Sequence, residues 1–100
     1  MIKFQEYTIL TTYGVKTVEG WVWNDLFGLK LDLQFDCWEL DHIPSGFRLV
    51  RIVSPDAFKI GLLAMKQLAE LPQIDSLEQS AESIRDCLNH LNSKLNCFSN

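Results

Sequence analysis

The chain has 100 residues, 47% of them hydrophobic and 22% charged. That is enough apolar material for one ordinary core and too little chain for two. No apolar run approaches the roughly 18 residues that span a bilayer. The net charge is −4, from 13 acids against nine Lys and Arg. No basic stripe is present, which disfavours direct binding to nucleic-acid phosphates.

The texture changes near Ser54-Pro55. Residues 1–53 are strand-like and residues 54–98 helical. Strands followed by helices imply a single α+β domain over residues 1–100, not alternating βαβ units. Ile2 to Thr12 is rich in Thr, Tyr, Phe and Ile and is predicted as a strand. Gly14 punctuates a turn, and Thr17 to Trp23 resumes as a strand. There Trp21 and Trp23 share one face, read as core-directed, and Val18 and Val22 share the other. Asn24, Asp25 and Gly28 mark a loop.

Leu29 to Phe35 alternates strictly. Leu29, Leu31, Leu33 and Phe35 interleave with Lys30, Asp32, Gln34 and Asp36. A period of two predicts a strand with one wet face, the usual antiparallel arrangement. Pro44-Ser45-Gly46 then predicts a three-residue hairpin loop. Counted outward, Ile43 opposes Phe47, His42 opposes Arg48, and Asp41 opposes Leu49. Leu40 opposes Val50, Glu39 opposes Arg51, and Trp38 opposes Ile52.

Ser54, Pro55 and Asp56 predict a helix start, and Pro72 a stop just after Leu71. The last helix is predicted from Ser76, where Ser76 and Gln79 form a capping-box pattern. Leu77, Ala81, Ile84, Leu88, Leu91, Leu95 and Phe98 recur at alternating spacings of four and three, a heptad seam. The expected architecture is an antiparallel meander of four to five strands, with two C-terminal helices packed on one face.

Trp38-Glu39-Leu40-Asp41-His42-Ile43-Pro44-Ser45-Gly46 resembles a hairpin pattern of small bacterial, phage and plasmid proteins. That pattern runs Trp, an apolar residue, His-x-Pro-Thr/Ser-Gly, a second strand and a helix. Here Asp41 stands where Thr or Ser is commoner. The resemblance implies no activity and points towards an accessory protein of a mobile element.

Candidate chemistry is sparse. Cys87 and His90 are three apart on a predicted helix, and His42 is the other His. A closed zinc site needs four converging ligands, which this set does not supply. The three Cys form no CxxC pair, and the N-terminus lacks the order of a signal peptide, so a reducing cytoplasm is the expected setting. No phosphate-binding, dinucleotide or metalloprotease motif occurs, and no cofactor, membrane or small-molecule partner is evident.

The expected function is a small non-catalytic interaction or regulatory protein, homodimeric and cytoplasmic. Its expected partner surface is Leu88, Leu91 and Leu95 of the seam together with Asp32, Asp36 and Asp41 of the acidic strand face. Two alternatives stand beside it. One is an acidic inhibitor or nucleic-acid mimic that uses the Asp25 to Asp41 cluster against a basic partner. The other is a small enzyme or metal protein using His42, Cys87 and His90.

Overall fold

A computed structural model describes residues 2–71 and 77–99. The strands β1 (Ile2–Thr11), β2 (Gly14–Trp23), β3 (Phe27–Asp32), β4 (Cys37–His42) and β5 (Phe47–Ile52) form an antiparallel meander in chain order. Two helices follow, α1 (Ala57–Ala69) and α2 (Leu77–Leu95). The fold is α+β, as its sequence predicts. A two-residue strand, β6 (Phe98–Ser99), returns to the far edge of β5.

Turn chemistry sets the strand ends. Asn24 and Asp25 both adopt positive φ, at 50° and 56°, and Leu26 N–H closes the turn on Trp23 O at 2.9 Å. Asn and Asp tolerate that region better than other side chains. Gly28, expected in this loop, instead lies inside β3. The alternation from Leu29 to Phe35 also overstates β3, which ends at Asp32. The reason is local: Asp32 Oδ1 accepts the Gln34 N–H at 3.0 Å and the Phe35 N–H at 3.4 Å. The side chain offers those donors a turn in place of a ladder.

The β4–β5 register agrees with expectation at Trp38–Ile52, Glu39–Arg51 and Leu40–Val50. Beyond Leu40 it differs. Asp41 opposes Arg48 and His42 opposes Phe47, so Leu49 is the extra residue of a bulge. The loop holds four residues, 43–46, rather than three. Gly46 (φ 77°) donates its N–H to His42 O at 2.8 Å. Ser45 Oγ lies 2.8 Å from His42 Nδ1 and accepts the Phe47 N–H at 3.2 Å. The bulge has a consequence for the site, because it turns Arg48 onto the face that carries Glu39 and Asp41.

Both helices cover one face of the sheet. Phe27, Leu29, Leu40, Val50 and Ile52 meet Ala57, Ala64, Met65 and Leu68 of α1 and Ile84, Leu88 and Leu91 of α2 in one core. Trp21, Trp23 and Trp38 are half-buried against it, and the Phe58 ring meets Trp21 edge-on at 5.9 Å and Trp38 at a tilt at 5.1 Å between centroids.

Helix α1 starts at Ala57, later than expected. Ser54 does cap locally, but it accepts the Asp56 N–H at 3.1 Å and holds a turn ahead of the helix. The capping box expected at Ser76 lies outside the described residues. So do the side chains of Leu77 and Ala81. Phe98 leaves the seam: Asn96 takes φ 50°, ending the helical path, and Asn92 Oδ1 accepts the Phe98 N–H at 2.9 Å. Among the described residues, no helix is long and apolar enough to cross a membrane.

Candidate functional site

The face of the sheet away from the helices carries charge. Alternation places Lys30 of β3 beside Glu39 and Asp41 of β4, and the bulge adds Arg48 to Arg51 on β5. Lys30 Nζ lies 2.5 Å from Asp41 Oδ2 and 3.4 Å from Glu39 Oε1. Glu39 Oε2 accepts from Arg51 Nε at 3.0 Å and from Arg48 Nη1 at 3.2 Å.

The outer end of the first hairpin folds over this cluster. Strand β2 pairs with β3 only through Trp21–Trp23, so residues 14–20 leave the β3 ladder as an arm together with β1. Two hydrogen bonds hold the arm down. Tyr7 OH donates to Asp41 Oδ2 at 2.8 Å, and the Leu10 N–H donates to Gly46 O at 2.7 Å. Gly28 makes the first possible, because a Cβ there would stand 2.3 Å from Tyr7 Cζ. The ring therefore lies directly on the backbone of β3.

The result is a second, polar interior. Asp41 is only 1% exposed and Glu39 6%. Burial pushes the Asp41 carboxyl up, against the Lys30 and Tyr7 contacts that favour its ionised form. At Glu39 burial acts upward too, but the Arg51 hydrogen bond with Lys30 and Arg48 outweighs it and holds the carboxyl low. Burial, then the Asp41 carboxylate, pushes the Tyr7 hydroxyl far up, so it stays a donor. Asp41 Oδ1 is closed to solvent and has no hydrogen-bond partner among the described residues. Such an orphan costs about 1–3 kcal/mol unless something satisfies it.

A second feature lies at the β3–β4 turn. Leu31, Leu33, Phe35 and Val53 are 47%, 84%, 55% and 58% exposed. Leu31 and Val53 line a cleft of about 530 Å³ with Trp38 and Pro55. The Arg51 guanidinium stacks 4.6 Å from the centre of the Phe35 ring.

The residues expected to meet partners are scattered by this arrangement. Asp32 is half-buried in its own turn, and Asp36 is exposed beside Phe35. Asp41 points into the ionic cluster, where Lys30 and Tyr7 occupy it, so it is not part of an exposed acidic face. Leu88 and Leu91 are buried in the chain's own core, and Leu95 is 40% exposed. His42 is buried on the helix side, Cys87 is half-buried, and His90 is exposed on α2. Among the described residues, no three His, Cys, Asp or Glu stand together as a metal site.

Sequence reasoning paired Glu39 with Arg51 through the hairpin register. It missed Tyr7, which reaches Asp41 across 34 positions with no periodic signal. It missed Arg48, whose face depends on the bulge. Comparison of the chain with protein-family models, curated proteins and solved structures finds no match in any of the three.

Proposed function

We propose that the chain is a small non-catalytic interaction protein that acts as a homodimer held through the β3–β4 turn. The observation that carries this reading is the exposure of Leu33 and Phe35 in the β3–β4 turn, with Leu31 near the end of β3 and Val53 just past β5 also exposed. Isolated exposed apolar groups are ordinary, but four large ones over the end of β3, its turn and the end of β5, two of them lining one cleft, suit an interaction surface. The charges around it suit a two-fold interface. Asp36 and the Arg51 guanidinium both flank Phe35. In the proposed dimer, a two-fold axis near Phe35 pairs Asp36 of one copy with Arg51 of the other.

The charged face supports a non-catalytic role, because its ionised groups are spent chiefly on one another. Three free cysteines, Cys37 buried and Cys87 and Cys97 half-buried, support a reducing cytoplasm as the setting. The Trp38–Gly46 hairpin, with its resemblance to small phage and plasmid proteins, supports an accessory role in a mobile element.

Sedimentation tests the dimer. The expected mass is that of two chains, and Leu33→Asp is expected to give a folded monomer whose thermal midpoint no longer depends on protein concentration, since Leu33 contributes little to the core. A wild-type monomer at micromolar concentration overturns the proposal. So does a Leu33→Asp variant that remains a dimer.

A further inference from the structure

We infer that the cleft between the end of β1 and the tip of the β4–β5 hairpin binds a small zwitterion, an α-amino acid with an apolar side chain. The cleft holds about 460 Å³ and is lined by Lys30, Glu39, Asp41 and Arg48, with Leu10 and Phe47 beside them. Lys30 and Arg48 stand against Glu39 and Asp41 in the lining, so each charge of a zwitterion meets a counter-charge there.

Two polar groups there retain binding capacity. Asp41 Oδ1 is a buried acceptor with no partner among the described residues. Arg48 bonds Glu39 through Nη1 alone, and its side chain is 39% exposed. The remaining guanidinium donors match a carboxylate. The register sets Asp41 directly opposite Arg48. Directly opposed residues stand about 4.5–5.5 Å apart at Cβ, a span that one amino-acid head group bridges. An ammonium satisfies Asp41 Oδ1, and a carboxylate takes the guanidinium. Leu10 and Phe47, both about half exposed, supply an apolar wall for the side chain.

Entry requires the arm to lift, because Asp41 Oδ1 is closed to solvent. Residues 14–20 make no ladder with β3, so the outer arm can lift while the β2–β3 pairing stays intact. The ties released are the Leu10–Gly46 and Tyr7–Asp41 hydrogen bonds and the seat of the Tyr7 ring on Gly28, and the arm closes again over the bound ligand to return Leu10 to the cleft.

The test is a titration of the isotope-labelled full chain with leucine and with phenylalanine, followed by amide shifts. Isopentylamine and 4-methylpentanoate serve as probes that each lack one charge. Saturable shifts are expected at Leu10, Asp41, Gly46 and Arg48, with the single-charge probes at least tenfold weaker. Arg48→Gln, at a partly exposed side chain, is expected to weaken binding at least tenfold while α1 amides keep their positions. Asp41→Asn is expected to do the same. The inference is overturned if neither amino acid saturates by about 20 mM, roughly twentyfold above a weak dissociation constant of about 1 mM. It is equally overturned if a single-charge probe binds as tightly, if the shifts fall on another surface, or if Arg48→Gln leaves affinity unchanged.

Discussion

On the helix side of the sheet, Leu29, Leu40 and Ile52 are closed off from water by α1 and α2. On the other side, a hairpin arm closes over Lys30, Glu39 and Asp41 with two hydrogen bonds. Both interiors exclude solvent, yet they are held by different physics. The apolar one gains by area removed from water, at roughly 25 cal/mol per Å². It tolerates small shifts, because dispersion and burial are not directional. The polar one gains only where each charge meets its partner, since desolvation offsets most of the attraction. A single removed partner therefore costs more there than its contact energy suggests. The same sensitivity makes the polar side the more suitable place for a site whose state can change.

Lys30→Met tests that difference most severely. It removes the cation that both Asp41 and Glu39 face, leaving Asp41 with Tyr7 alone. Breaking a buried pair in this way costs about 3–5 kcal/mol. Adding Asp41→Leu to Lys30→Met is expected to recover most of that loss, because the uncompensated charge is gone. On the helix side, Leu40→Ala is expected to cost about 2–5 kcal/mol, with no second-site replacement of a charge able to restore it. Urea unfolding of the three variants distinguishes the cases. If the double variant is no more stable than Lys30→Met, the polar interior does not behave as a paired cluster.

The apolar interior was the more legible of the two in sequence. The inward position of Leu29 in its alternating strand, and the register Trp38–Ile52 and Leu40–Val50, follow from hydrophobic spacing and a turn. Where local polar chemistry competes with that spacing, the reading fails. Asp32 ends β3 two residues ahead of Gln34, although Leu33 and Phe35 continue the alternation. Asn96 ends α2 although Phe98 continues the heptad. The heptad itself could not say whether Leu88 and Leu91 face a second copy or the same chain, since spacing is identical in both. The polar interior was nearly invisible. It depends on a one-residue bulge at Leu49 and on Tyr7 arriving from a strand that folds over the sheet, and neither leaves a periodic trace.

Tyr7→Phe separates the arm from the cluster it covers. The ring still fits on Gly28, so packing is kept while the hydrogen bond to Asp41 is lost. A buried hydrogen bond to a charged acceptor contributes about 1.5–3 kcal/mol. The loss is expected to appear locally as well as globally. Amides of residues 8–18 should exchange faster, and those of α1 should shift only by the change in overall stability. Equal acceleration in both regions would mean that the arm opens only when the whole chain unfolds.

The smallest effect concerns pH, and its sign distinguishes Asp41 from Glu39. The Asp41 carboxyl is raised in the fold by burial, so the folded state binds its proton more tightly than the unfolded chain does. Its contribution is therefore fully present below the ordinary carboxylate value and is lost as pH rises through the folded value above it. Glu39 is held low by Arg51, Lys30 and Arg48, so its contribution is present above the ordinary value and is lost as pH falls through the folded one. The two oppose each other in the wild type and flatten its profile. Asp41→Asn removes the first and keeps an acceptor for Tyr7. Relative to wild type, this variant is expected to gain stability as pH rises from the acid range to neutrality, by about 1.4 kcal/mol for each unit by which the Asp41 value is raised. Urea midpoints over that range provide the check. A difference that runs the other way would mean that Lys30 and Tyr7 stabilise the Asp41 carboxylate more than burial opposes it.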